Sequence, residues 1–213
     1  MPKKKLIIFP FNGNGIEALD CISTDEYDFI GFVDDIRKES SHYDIYTRDI
    51  LNQYREVYVL AVPGSPASFR KRQEIISSLG IDSSRFVSVI HPRASVGRGV
   101  QVGMNCLIMA GVVLTSNAQI KDHVCILPNS VVHHDAVIGD YTLIGSNVVI
   151  AGGTTIGKNC YIGSGSNIIN GISIGDASLI GLGSNVLNHV KGNAKMVGNP
   201  ARDLNAHIKQ EVF

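Results

Sequence analysis

An imidazole beside a carboxylate is the pair from which a general base is built. The carboxylate fixes the ring tautomer and balances its charge once it takes a proton. The chain offers such a pair at His134 and Asp135, directly after His133. An unperturbed histidine titrates at about pH 6.5, which suits proton removal near neutrality. The same residues also read as solvated histidines on a polar corner, and the pair alone does not choose. His133 is one residue off and points elsewhere, as a structural or solvated group. Of the others, His91, His123 and His189 have no comparable partner, save Asp122 before His123, and His42 and His207 read as loop and tail. No cysteine or serine reads as paired with this base, so no covalent acyl intermediate is expected.

The direction in which His134 points follows from the repeat around it. From Val96 every sixth residue is aliphatic, through Val102, Ile108, Leu114 and onward to Ile180 and Val186. The fifth place is nearly always small, as at Cys106, Ala118, Ser130 and Thr142, and Gly often fills the second, as at Gly139, Gly145 and Gly157. A six-residue period predicts a β-helix of hexapeptide repeats, in which three hexads close one triangular coil. First and fifth places point inward, and each coil is stabilised by stacking on its neighbours. Asn105, Asn117, Asn129, Asn147 and Asn159 are expected at turns with positive φ. His134 takes the third place, outward at a turn. Metal ligands stacked on one coil face would have to recur once per coil. His123 and His133 do not, so no metal is expected. Of the four cysteines, Cys106 and Cys160 fall at inward places and read as small core residues.

The 213 residues carry a formal net charge of +0, which excludes bulk attraction to nucleic acid or membrane. The run Lys3-Lys4-Lys5 solvates the start of a strand, with no signal-peptide pattern after it. No stretch reaches the roughly 20 apolar residues of a membrane span, and a reducing cytoplasm is the expected compartment. Residues 1–88 alternate strands and helices and predict a small, Rossmann-like α/β domain with a parallel sheet. Strands are expected over residues 3–11, Tyr27 to Val33, Glu56 to Val62 and Phe86 to Ile90. Helices are expected over Ile16–Ile22, Thr47–Tyr54 with Thr47 as N-cap, and Ser68–Leu79 ending at Gly80. The turn Asn12-Gly13-Asn14-Gly15 could admit a phosphate or be an ordinary strand-to-helix turn. Asp34 and Asp35, after the second strand, could meet a ribose or base or simply form a polar loop. The β-helix domain is expected over 89–202, and a polar tail over 203–213 that admits a short helix from Leu204.

This order of units resembles the sugar acetyltransferases of the sialic-acid O-acetyltransferase and bacillosamine N-acetyltransferase type, over essentially the whole chain. The matching landmarks are Asn12 to Gly15, Gly31-Phe32-Val33-Asp34-Asp35, Ile90-His91-Pro92, Val132-His133-His134-Asp135 and Val197-Gly198-Asn199-Pro200-Ala201-Arg202. The opening FPFNGNGIEALDC looks like enzymes that acetylate the 4-amino group of a dTDP-linked 4-amino-4,6-dideoxyglucose. The resemblance implies a left-handed β-helix, a homotrimer about the helix axis, and acetyl-CoA as cosubstrate in the groove between neighbouring helices. It implies that Asn12, Gly13, Asn14, Gly15, Asp34, Asp35, Gly64 and Ser65 hold the nucleotide-linked amino sugar. It makes His134 the base and Asp135 its partner, places acetyl-CoA against Gly152, Ser164, Gly181, Leu182 and the Pro200 region, and implies direct transfer without metal in surface-polysaccharide (O-antigen) synthesis. Two positions depart from the pattern. Leu143 stands where some relatives carry a second histidine nine residues after the base, and Asn14 where the bacillosamine type carries histidine. O-acetylation of a sugar, as in the sialic-acid type, and a catalytically silent trimeric scaffold are the competing expectations.

Overall fold

The protein, seen as a computed structural model, is described over residues 2–36 and 39–205. His207 and most of the expected tail helix lie outside the described residues. The N-terminal unit is a four-stranded parallel sheet of order β3-β2-β1-β4. Strand β1 is Lys4–Phe9, β2 Tyr27–Val33, β3 Ile45–Tyr46 and β4 Tyr58–Ala61. Leu6 to Phe9 form an unbroken buried run because β1 is central and covered on both sides. Ile7, Phe9, Val59 and Ala61 pack towards helices α2 (Ile50–Gln53) and α3 (Arg72–Ser77). Leu6, Ile8, Phe32 and Leu60 pack towards the segment Ala18–Cys21 and the β-helix.

Several local expectations are corrected. Helix α1 spans Gly13–Glu17 and passes into a 3₁₀ turn over Ala18–Cys21, so the glycine turn is itself the first turn of the helix. Asn12 caps it, accepting from the Gly15 N–H at 2.8 Å. Asp49, not Thr47, precedes α2 at the N-cap position. The third helix breaks into a 3₁₀ turn, Phe69–Lys71, and α3, and Gly80 follows it at φ +62°. Phe86–Ile90 is not a strand of the N-terminal sheet. Phe86 makes only an isolated bridge to Val59, while β5 (Val89–Ile90) pairs with Leu107–Ile108 in the first coil. The fourth N-terminal strand is instead the short β3, which the sequence pattern does not mark.

Beyond β5 the chain winds through three parallel faces in turn. The first face carries Leu107–Ile108, Cys125–Ile126, Leu143–Ile144, Tyr161–Ile162 and Leu179–Ile180. The second carries Val113–Leu114, Val131–Val132 and Val149–Ile150, and the third Gln119–Ile120, Val137–Ile138 and Thr155–Ile156. First- and fifth-place side chains fill the axis as one continuous core from Cys106 to Ala201. Val96 is the exception at 46% exposure, because no coil covers the first one. The last coil is two residues short: Leu179 pairs with Lys195, and the antiparallel strand Arg202–Asp203 closes the end.

The asparagines at Asn105, Asn117, Asn129, Asn147 and Asn159 all have positive φ, as expected. The second-place glycines serve a different purpose. A Cβ on Gly139 would stand 2.6 Å from the carbonyl carbon of Gly157 in the next coil. Contact between backbones, not φ, demands glycine there. Gly139→Ala is therefore expected to cost about 1–3 kcal/mol by overpacking, read as a lowered denaturation midpoint with unchanged m-value.

The N-terminal unit docks on the first face and on the corner between the third and first faces. Val89, Leu107, Cys125 and Leu143 are buried in the same cluster as Leu6 and Phe32, with Tyr161 and Leu179 packed against it. At the corner, Asn105 mimics a strand partner. Its Oδ1 accepts from the Ala61 N–H at 2.7 Å and its Nδ2 donates to the Ala61 carbonyl at 2.8 Å. His123 stacks on Tyr141 at 4.6 Å and meets the Asn105 amide through Nδ1 at 2.9 Å. Desolvation by burial lowers the His123 pKa below the ordinary 6.5, and nearby Arg72 lowers it further against the opposing pull of Asp122 and Asp140. The unfolded chain thus binds this proton more readily than the folded one. Stability from this site is full above about pH 6.5 and is lost as pH falls through that value towards the lowered pKa. In His123→Phe the fall in Tm between pH 7 and pH 5 is expected to be shallower than in the wild type.

Candidate functional site

His134 and Asp135 occupy the corner between the second and third faces. The Asp135 Oδ2 lies 2.8 Å from His134 Nδ1. Asp135 sits at φ 58°, in the turn place held along this corner by Gly99, Asn117, Gly153 and Gly171, and its carboxylate meets the imidazole. Its other oxygen accepts from Asn117 Nδ2 at 3.0 Å, one coil below. The hydrogen bonds from His134 and then Asn117 lower the Asp135 pKa from its ordinary 3.8. It is therefore ionised at neutral pH. An ionised carboxylate only accepts, so in the neutral imidazole the proton belongs on Nδ1 and Nε2 keeps its lone pair. Both side chains are more than half exposed.

Gly152, one coil above His134, lies against the ring. A Cβ there would stand 2.5 Å from Nε2 and 2.6 Å from Cε1. The neighbouring N–H groups serve the coil ladder, Ala151 to Ile168 at 3.1 Å and Gly153 to His134 at 2.9 Å. The corner can thus present one unprotonated, oriented imidazole nitrogen to a ligand lying along the helix. His133 is half-buried, and its N–H serves the ladder to Ile150. Serine does meet histidine elsewhere, at Ser41–His42 and Ser173–His189, but both contacts are exposed and away from this corner. Asn117 was expected only as a turn residue, and its support of Asp135 from one coil away is the part that the sequence reading missed.

The other expected residues fall into separate groups. Asn14, Gly64 and Ser65 come together with Leu127, Leu143, Gly145 and Tyr161 around a cleft of about 200 Å³ between the N-terminal unit and the first face. Leu143, in the place of the second histidine, is buried under Gly64 and faces this cleft. Gly13 stands in open space, whereas Gly15 is a packing residue: a Cβ on it would meet the Pro10 carbonyl at 2.4 Å. The Gly15 N–H is engaged by the Asn12 side chain. Asp34 is buried and accepts from the N–H groups of Phe11 and Ile36 at 3.0 and 2.9 Å. Asp35 forms a two-pronged pair with Arg48, which also donates to the Ser78 carbonyl at 2.8 Å. Both aspartates thus already brace the ends of strands.

Ser164, Gly181 and Leu182 lie together on the edge between the first and second faces, with Leu182 71% exposed. The Ser164 hydroxyl accepts from the Ser146 N–H at 3.0 Å. Pro200 lies in the loop before the closing strand. In a triangular prism the His134 corner is opposite the first face. One chain therefore sets the imidazole and Gly152 apart from the cleft and from Ser164, Gly181 and Leu182. Among the described residues no cluster of histidine, cysteine or carboxylate groups could hold a metal ion, and no helix is long and apolar enough to cross a membrane.

Face, corner and coil together define a left-handed parallel β-helix of hexapeptide repeats. Residues 117–152 match the bacterial transferase hexapeptide family, and residues 93–116 and 153–187 match the hexapeptide repeat of succinyl-transferase. Among solved structures the chain is similar to the acetyltransferase domain of PglB from Neisseria gonorrhoeae FA1090 in complex with acetyl coenzyme A. That match has 23% identity and a TM-score of 0.83, and covers 95% of this chain and 100% of that one. PerB from Caulobacter crescentus, in complex with CoA and GDP-perosamine, matches at 23% identity and TM-score 0.83, covering 95% and 98%. WeeI from Acinetobacter baumannii AYE matches at 23% and 0.78, covering 95% and 100%. At these identities the likeness is one of fold. No curated protein matches the chain in sequence.

Proposed function

We propose that this chain is an acetyl-CoA-dependent N-acetyltransferase acting on the 4-amino group of a nucleotide-linked 4-amino-4,6-dideoxy sugar, with a dTDP carrier favoured. The observation that carries the reading is the His134–Asp135 pair, with Nδ1 turned to the carboxylate and Nε2 set against Gly152. The fold it shares with PglB bound to acetyl coenzyme A and PerB bound to CoA and GDP-perosamine supports it. Residues 1–88 take the nucleotide sugar, through Asn14, Gly64 and Ser65 at the cleft and Asn12, Gly13, Gly15, Asp34 and Asp35 behind it. Residues 89–202 supply the base and the acetyl-CoA groove. The separation of the His134 corner from the cleft favours a homotrimer in which one subunit's base faces its neighbour's nucleotide sugar. We place the enzyme in the cytoplasm, in the synthesis of a surface polysaccharide such as an O-antigen.

In this mechanism the sugar amine attacks the thioester carbonyl while His134 Nε2 takes its proton. Asp135 balances the imidazolium. A backbone N–H near Gly152 meets the oxyanion. Collapse breaks the C–S bond, and the proton passes from His134 to the departing thiolate. Holding amine and thioester together supplies much of the acceleration.

The test is thiol release from acetyl-CoA with a panel of 4-amino sugars on dTDP, UDP and GDP carriers. Rapid release with one of them supports N-acetylation and identifies the acceptor. Release only with hydroxyl sugars moves the reaction to O-acetylation. A folded oligomer silent on both panels would be the scaffold.

A further inference from the structure

The corner between the third and first faces is built from five successive turn residues: Asn105, His123, Tyr141, Asn159 and Ala177. All five have positive φ. The coil ladder there uses the carbonyl one residue earlier, since Tyr141 N–H donates to Asp122 and Asn159 N–H to Asp140, both at 2.9 Å. This leaves the turn carbonyls themselves for other donors. The segment after β4 takes up three of them. Arg72 Nε donates to the Tyr141 carbonyl at 2.9 Å and Nη2 to the His123 carbonyl at 2.6 Å. Its Nη1 donates to the carbonyl of Pro63. Arg70 Nε reaches the Ala177 carbonyl at 2.9 Å.

Arg72 is fully buried, and none of its three hydrogen-bond partners is a carboxylate. Burial brings its pKa down to about 10, which leaves it charged at neutrality. A desolvated cation satisfied only by carbonyls is a costly way to hold two units together, where an apolar side chain would pack as well. Its geometry gives the reason for it. The same guanidinium joins two coils of the β-helix to Pro63, and Gly64 lies on its stem: a Cβ on Gly64 would stand 3.0 Å from Arg72 Cδ. Gly64 and Ser65 form one wall of the cleft, and Leu143, Gly145 and Tyr161 the other.

We infer that Arg72 is a positioning residue for the nucleotide-sugar end of the site, setting the distance of the Pro63–Ser65 loop from the β-helix and hence the width of the cleft. The inference rests on the acceptor assignment made under Proposed function. Arg72 touches no reacting group in it, so its loss acts on acceptor affinity. Arg72→Met removes every donor at similar volume. Arg72→Lys keeps the charge but cannot span three carbonyls in a fixed fork.

The experiment compares both variants with the wild type in steady-state kinetics and in calorimetric binding of dTDP, UDP and GDP. Arg72→Met is expected to raise KM for the nucleotide sugar, and Kd for the preferred nucleotide, by about tenfold or more, with Arg72→Lys in between. The kcat and the KM for acetyl-CoA are expected to stay within about twofold. A fall in kcat with unchanged acceptor KM, or no change at all, overturns the inference and leaves the acceptor assignment standing. Failure of both variants to fold also overturns it, since Arg72 would then be a folding determinant. A wild type that binds a nucleotide without transferring acetyl overturns the acetyltransferase reading alone. One that does neither overturns both.

Discussion

Replacing His134 with alanine is expected to lower kcat about 10²–10⁴-fold, the range for loss of a general base. The Km for acetyl-CoA should move little, because the ring contributes to the transition state more than to ground-state binding. His134 is on an exposed corner and its side chain takes no part in the core, so the variant should melt with the wild type. Thiol-release kinetics with the best acceptor, beside a melting curve, checks both halves. A near wild-type rate would remove His134 from the mechanism. Asp135→Asn makes the companion case: an amide can donate to Nδ1 as well as accept, which frees the ring to take the wrong tautomer. The rate should then fall while the turn at φ 58°, a conformation asparagine tolerates, keeps its shape.

Gly152→Ala should be nearly as damaging to the rate and should also leave the fold largely intact. The backbone at Gly152 is not among the positive-φ positions, so alanine is conformationally allowed. The new methyl would arrive 2.5 Å from His134 Nε2, and the imidazole, at the exposed end of a side chain, is what gives way. A displacement of about 1 Å at a reacting group can cost on the order of 10²-fold. Loss of rate with Tm held within a few degrees would show that Gly152 is there for the ring. Loss of both would instead make it another stacking glycine, like Gly139.

The β-helix was legible because its code is short. One aliphatic residue per hexad repeats without a slip, a small one nearly always accompanies it, and the asparagines announce their own turns. The frame also placed His134 outward and Asp135 at a turn. What the pattern hid were relations between coils. Asn117 steadies Asp135 from a full coil away, and Gly152 underlies the imidazole from the other side. The outward residues Val89, Leu107, Cys125, Leu143, Tyr161 and Leu179 also recur once per coil and mark the face that receives the N-terminal unit. That signal was available in the spacing, but it shows only when the sequence is folded into coils. The N-terminal unit was read less well. Its helices are short, α2 and α3 have no side-chain N-cap, and β3 has only two residues, too few for any period. The two aspartates carry contacts that motif reasoning does not reveal: Asp34 accepts from backbone N–H groups and Asp35 pairs with Arg48.

The docking corner advances one rung per coil, and this constrains how such a chain can change length. Removing one hexad from the middle of the β-helix would turn everything beyond it by a third of a revolution. Tyr161 and Leu179 would leave the face beneath the N-terminal unit, and Ala177 would swing away from Arg70. Removing three hexads restores the direction of every later side chain and only lowers the stack. Viable length variants of this architecture should therefore differ by whole coils, and a shorter indel should survive only beyond the last docked rung, where the chain already closes with a coil two residues short.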